Sequence, residues 1–118
     1  MLEHQKVSRE QAEALYFEGN NFLEAGDLLA AENCWREAIV LSPDFAEAYC
    51  NLGFVTEKKG AATDAECYYR KSLSLDFNCT RTLLNLGALL AAKKRFDEAA
   101  KLYDRAILIE PSSPKAWT

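Results

Sequence analysis

The feature that most constrains this chain is a period. Gly19, Gly53 and Gly87 are 34 residues apart, and the same step relates Ala31, Ala65 and Ala99. It also relates Trp35, Tyr69 and Tyr103, then Ile39, Leu73 and Ile107, then Leu41, Leu75 and Ile109. Pro43 is followed in register by Phe77 and Pro111, and no insertion disturbs the phase. A fixed repeat of about this length, with small and aromatic residues in recurring slots, specifies stacked helix–turn–helix units. The small residues let two helix backbones approach closely, and the aromatics fill the wedge beside them. Such residues point to packing rather than to chemistry.

The stretch from Ala46 to Cys79 shows one unit whole. Tyr49, Leu52, Gly53 and Thr56 share one face of a first helix. Ala65, Tyr69, Ser72 and Leu73 share one face of a second, and Gly60 stands between, where a left-handed residue ends a helix. Applied to the whole chain, the pattern predicts six helices. Residues 1–7 read as a polar lead-in, and Ser8 with Gln11 makes a capping box that starts the first helix, which runs to about Ala25. The second runs from about Asp27 to Leu41. Asp44 is the expected N-cap of the third, which ends near Lys59. Thr63 with Glu66 is the expected cap of the fourth. Phe77 stands where a chain-breaking Pro is found in the other units, so this helix is expected to run on into Asp76-Phe77-Asn78. Lys94 replaces the inter-helix Gly of the last unit, so that turn is expected to close one residue differently. The fifth helix starts near Thr80, and the sixth spans Phe96 to Ile109.

These residues resemble the tetratricopeptide repeat. Tyr49, Leu52, Gly53, Gly60, Ala65 and Tyr69 fit its pattern in the middle unit. Gly19, Phe22, Gly26, Ala31, Trp35, Ala38 and Pro43 fit it in the first. Leu83, Leu86, Gly87, Leu90, Phe96, Ala99, Tyr103, Ala106 and Pro111 fit it in the third. The resemblance implies an all-α, right-handed helical-hairpin solenoid. Its parts are a lead-in at residues 1–11, repeats at 12–45, 46–79 and 80–113, and the start of a fourth unit at 114–118. Glu18 replaces the Leu of the usual Leu-Gly pair, so the outer face of the first helix is expected to be solvated.

Composition narrows the function. Eighteen acidic against fourteen basic residues give a net charge of −4, which disfavours nucleic acid as a partner. No apolar run approaches the roughly 20 residues of a membrane span, and the N-terminus lacks the pattern of a secretory signal. Cys34, Cys50, Cys67 and Cys79 form no metal-binding spacing, and the single His4 leaves no basis for a zinc or His-based catalytic site. Cys34 and Cys67 are expected to be packed small hydrophobes. Reduced thiols and a cytoplasmic setting are expected. No nucleophile with its base, carboxylate pair or phosphate loop is present, so the expectation is a non-enzyme without a cofactor.

The resemblance places the binding surface on the concave face, lined by the first helix of each unit. Its slots hold Glu13, Tyr16, Phe17, Asn20 and Leu23, then Glu47, Cys50, Asn51, Phe54 and Glu57, then Arg81, Leu84, Asn85, Ala88 and Ala91. Asn51 and Asn85 occupy one slot in adjacent repeats. A carboxamide both donates and accepts, so a row of them can pair with an extended peptide backbone. This is similar to the asparagine ladder of O-linked N-acetylglucosamine transferases, although Phe17 interrupts it in the first repeat. The carboxylate clamp of chaperone adaptors is a poorer match. Asn20, Asn51 and Arg81 fit it, but Tyr16 and Asn85 stand where cations are needed. The expected groove is therefore Tyr16, Phe17, Asn20, Asn51, Phe54, Arg81, Leu84 and Asn85. The asparagines would hold a peptide or helix, the apolar residues would wall it, and Arg81 would take an acidic group.

Two alternatives stay open. The chain can be the substrate-docking region of a larger, glycosyltransferase-like enzyme, or a scaffold that assembles with its own copies. Both arise from Ser113-Pro114-Lys115-Ala116-Trp117, which restarts the pattern with Trp117 in the slot of Leu83. The end of the third repeat is then covered by further chain or by a second copy, with Leu102 and Ile109 in contact.

Overall fold

The computed structural model describes residues 2–110 as six α-helices with no strand among them. They are α1 (Leu2–Glu24), α2 (Leu28–Leu41), α3 (Ala46–Lys58), α4 (Ala62–Leu75), α5 (Thr80–Ala92) and α6 (Phe96–Ile109). The readings that fall on residues 111–118 lie outside the described residues. Three hairpins, α1–α2, α3–α4 and α5–α6, stack in chain order to form an all-α helical-hairpin solenoid.

Each hairpin is closed by one glycine-to-ring contact. A methyl placed on Gly19 would lie 2.5 Å from the Trp35 indole, and one on Gly53 would lie 2.6 Å from the Tyr69 ring. At Gly87 the gap to Tyr103 is 3.1 Å. Trp35 also donates its indole N–H to the Tyr16 carbonyl (3.1 Å), and the Tyr69 hydroxyl donates to Glu57 (2.9 Å). Between hairpins, Ala31 and Trp35 of α2 form one apolar cluster with Leu52 and Val55 of α3. Tyr69 of α4 joins Leu86 and Leu89 of α5 in another. In α1 the slots of Leu52 and Val55 hold Glu18 and Asn21, both exposed, so the outer face of the first helix is solvated as expected.

Several local expectations need correction. Helix α1 begins at Leu2, not Ser8. The lead-in contains good helix formers and no breaker, and Arg9 fastens this part of the helix by bonding Ser42 Oγ (3.1 Å) and lying 4.1 Å over the Phe45 ring. Asp44 is not the cap of α3. That position is Phe45, while Asp44 accepts from Ser42 Oγ at 2.7 Å. Nor does Thr63 with Glu66 cap α4, which starts from Ala61 without a side-chain cap. Helix α4 stops at Leu75 in spite of Phe77, because Asp76 Oδ1 accepts from the Asn78 amide and starts a turn. The Arg105 guanidinium sits 4.7 Å over the Phe77 ring and donates to its carbonyl, fixing the turn from the next hairpin. Lys94 does not shift its turn. It takes φ 65°, where Gly26 and Gly60 take 85° and 86°, and the bonds Lys94 to Ala91 and Arg95 to Leu90 repeat those of Gly60 to Glu57 and Ala61 to Thr56. Cys34 is buried, but Cys67 is exposed.

Charge reinforces the joints between repeats. Glu66 of α4 pairs with Lys93 (2.8 Å) and Arg95 (2.9 Å) of the next hairpin and with Arg70 on its own helix (2.9 Å). One period earlier, buried Glu32 of α2 pairs with Lys59 (2.9 Å) and Arg36 (2.6 Å). Burial pushes the Glu32 carboxyl up, but bonds from Lys59 and Arg36 outweigh it and leave the group below its ordinary value. The Lys93 bond leads in holding Glu66 down at about 2, against an ordinary 4.5. A group depressed in the folded state stabilises it above the unfolded pKa, and this contribution is lost as pH falls through the folded one. The window is therefore pH 4.5 down to about 2. Because its arginine partners are partly exposed, the contribution is about 2 kcal/mol rather than the full shift. Urea unfolding at pH 6 and at pH 2.5 measures it. Wild type is expected to lose about 1.5 kcal/mol more than Glu66→Gln over that interval.

Candidate functional site

The first helices of the three hairpins bring Tyr16, Phe17 and Arg81 into one group and Asn20 and Asn51 into another. Arg81 is the residue that joins the three helices. From the first turn of α5 its guanidinium reaches the Tyr16 hydroxyl on α1 at 3.5 Å and the Glu47 carbonyl on α3 at 3.4 Å. It therefore spans all three repeats. Both contacts are long, so most of its five N–H donors are left for another acceptor. Tyr16 is held beneath it by ring contacts with Phe45 (centroids 5.0 Å) and Phe17 (5.4 Å, edge to face). Phe17 is 61% exposed and Leu84 is 45% exposed. Phe54 is half-buried, with the Lys58 ammonium 5.2 Å over its ring.

The asparagines are less open than their slots suggest. Asn51 is 6% exposed, and its amide donates to Asn20 Oδ1 at 2.9 Å. These two side chains tie α1 to α3. Half-buried Asn85 directs its amide toward Cys50 Sγ at 3.7 Å. Cys50 is fully buried rather than groove-lining, and burial pushes its thiol up, so it stays neutral. Oδ1 of Asn85 and the exposed part of Asn20 are the carboxamide groups best placed for a ligand. Sequence reasoning missed the Asn20–Asn51 pair and the reach of Arg81 to Tyr16. Both join residues about one or two repeats apart, and a slot assignment shows which face a residue is on, not which neighbour it meets. Among the described residues, no cluster of three potential metal ligands occurs.

This architecture is matched by known families. Tetratricopeptide repeat models match residues 46–79 and 80–113, and a TPR repeat model matches residues 19–60. The chain belongs to the tetratricopeptide repeat family. Such repeats are protein-interaction modules. The type IV pilus assembly protein PilF of Pseudomonas aeruginosa is 34% identical over 94 residues, covering 77% of this chain and 36% of that protein. The human protein O-mannosyl-transferase TMTC1 is 32% identical over 87 residues, covering 74% of this chain and 10% of that protein. The chain thus spans about a third of the first relative and a tenth of the second. Among solved structures, the first TPR of Spaghetti (RPAP3), bound to the HSP90 peptide SRMEEVD, superposes with a TM-score of 0.84 at 22% identity. That match covers 92% of this chain and 86% of the other.

The paired asparagines give a direct test. Asn20→Ala leaves the buried Asn51 amide without its acceptor and is expected to cost about 1–2 kcal/mol in urea unfolding. Asn85→Ala, which removes only a weak bond to sulfur, is expected to cost about 0.5 kcal/mol or less.

Proposed function

We propose that this tetratricopeptide domain is a non-catalytic scaffold that holds a peptide or partner helix in its concave groove, with an acidic group of the ligand on Arg81. The observation that carries this reading is the position of Arg81. It is a cation suspended across three repeats by two weak bonds. A guanidinium presents parallel donors that match a carboxylate. Phe17, Phe54 and Leu84 supply the apolar contact that accompanies it, and Asn20 and Asn85 offer groups to the ligand backbone. Asn51 acts by holding Asn20. The fold supports the reading, since the Spaghetti domain that shares it is solved with a peptide bound.

A second reading rests on the relatives. The matched part of TMTC1 is a tenth of that protein, so this domain is also suited to docking substrates for a larger enzyme. The groove would do the same work in either setting.

A fluorescent peptide display read by anisotropy, followed by titration of the selected sequences, tests the reading. Selected peptides are expected to carry Asp, Glu or a free C-terminal carboxylate. Arg81→Gln is expected to weaken them about tenfold, and Phe17→Ala about threefold, with affinity falling as salt rises. Binding that is unchanged by Arg81→Gln would remove the groove assignment.

A further inference from the structure

The two joints of the solenoid differ on the side lined by the second helices. At the joint of the second and third hairpins, Leu83 is fully buried, and Arg70 approaches Glu98 at 3.8 Å across the seam. One period earlier, the matching slots hold Tyr49 and Asp64. Arg36, in the slot of Arg70, keeps the matching pair with Glu32 at 2.6 Å but, among the described residues, makes no ion pair with Asp64 across the seam. The first joint is left with an open cleft of about 490 Å³, lined by Arg36, Tyr49, Asp64, Cys67, Tyr68 and Lys71. Tyr49 and Tyr68 are half-buried, and the Lys71 ammonium hovers 5.8 Å over the Tyr49 ring. Among the described residues Lys71 forms no ion pair.

We infer that this cleft is a second binding site, separate from the concave groove, for an aromatic anion: a single ring bearing a phosphate or carboxylate. Three properties select that class. The volume suits one substituted ring, lying within the range of small-ligand pockets. The two phenol rings provide flat apolar surface for stacking. Arg36 is already held by Glu32 and Asp64 adds a carboxylate, so the anion's partner is Lys71, which lies over the Tyr49 ring and forms no ion pair among the described residues. Burial and the nearby Tyr68 and Asp44 push the Tyr49 phenol up, so its ring stays neutral. At the second joint the slots of Tyr68 and Cys67 hold Leu102 and Lys101, and no matching pair of rings exists there.

Exposed Cys67 lies within the cleft and reports its occupancy. The test measures alkylation of Cys67 by iodoacetamide on the full chain, read by peptide mass spectrometry. The probes are phenyl phosphate, inorganic phosphate and phenol. At about ten times a millimolar dissociation constant, phenyl phosphate is expected to slow the reaction about tenfold, while phosphate and phenol leave it unchanged. Lys71→Gln, a change at an exposed position, is expected to abolish protection. Tyr68→Leu, which installs the residue of the next repeat, is expected to do the same. A phosphotyrosyl peptide protecting at much lower concentration than phenyl phosphate would identify the ligand's source as a peptide. Equal protection by inorganic phosphate, no protection by phenyl phosphate, or protection that survives both substitutions would overturn the inference.

Discussion

The structure depends on the absence of one side chain per repeat. At Gly19 and Gly53 the backbone of the first helix lies against an aromatic ring on the second, at a separation no β-carbon would allow. That contact fixes how closely the helices of each hairpin approach, and so where the apolar faces of the pair point. The rest follows in sequence. Trp35 and Tyr69, fully buried, each complete the apolar cluster on which the next hairpin rests. At Gly87 the approach is looser and Tyr103 is only half-buried. In solenoids of this kind stability is close to a sum of hairpin and nearest-neighbour terms. The glycine contact sets the first, and the apolar clusters with the Glu32 and Glu66 ion pairs set the second.

The same geometry sets the residues of the proposed groove. First helices that lie side by side bring slots one period apart close together, as Arg81 and Glu47 show. Arg81, Glu47 and Glu13 share one such slot. The exchange of acid for base at its third occurrence puts a cation where the preceding repeats offer a carbonyl and a phenol as weak tethers. On the proposed reading, function enters through departures from the repeat, while the repeat supplies the platform. The cleft at the first joint has the same origin: Tyr49 and Asp64 stand where the next repeat has Leu83 and Glu98.

Much of this was legible in the sequence. The period located all six helices because each slot carries a packing constraint that only a few residue types satisfy. The turns were read less well. Lys94 was expected to disturb a turn whose bonds proved strong enough to hold a non-glycine residue at positive φ. Phe77 was expected to let α4 run on, but the side chain of Asp76 ends it. Capping motifs at Ser8 and Thr63 matched by pattern yet were overridden, since in both cases the helix has already begun before the residue. The ion cluster carried a signal of its own. Glu32 and Glu66, Lys59 and Lys93, and Arg36 and Arg70 all recur at the repeat spacing, outside the apolar slots that define the family. The pairing of Asn20 with Asn51 carried none, since it joins unlike slots of adjacent repeats.

A double-mutant cycle on Gly53 and Tyr69 tests the central claim most directly. Urea unfolding free energies are measured for wild type, Gly53→Ala, Tyr69→Leu and the double variant. If the ring occupies the space a methyl would need, Gly53→Ala alone costs about 2–3 kcal/mol, in spite of the gain in helix propensity. In the Tyr69→Leu background that cost falls to about 1 kcal/mol or less, giving a coupling well outside additivity. Equal costs in both backgrounds would contradict the account, because the closeness of the two helices would then not rest on this contact.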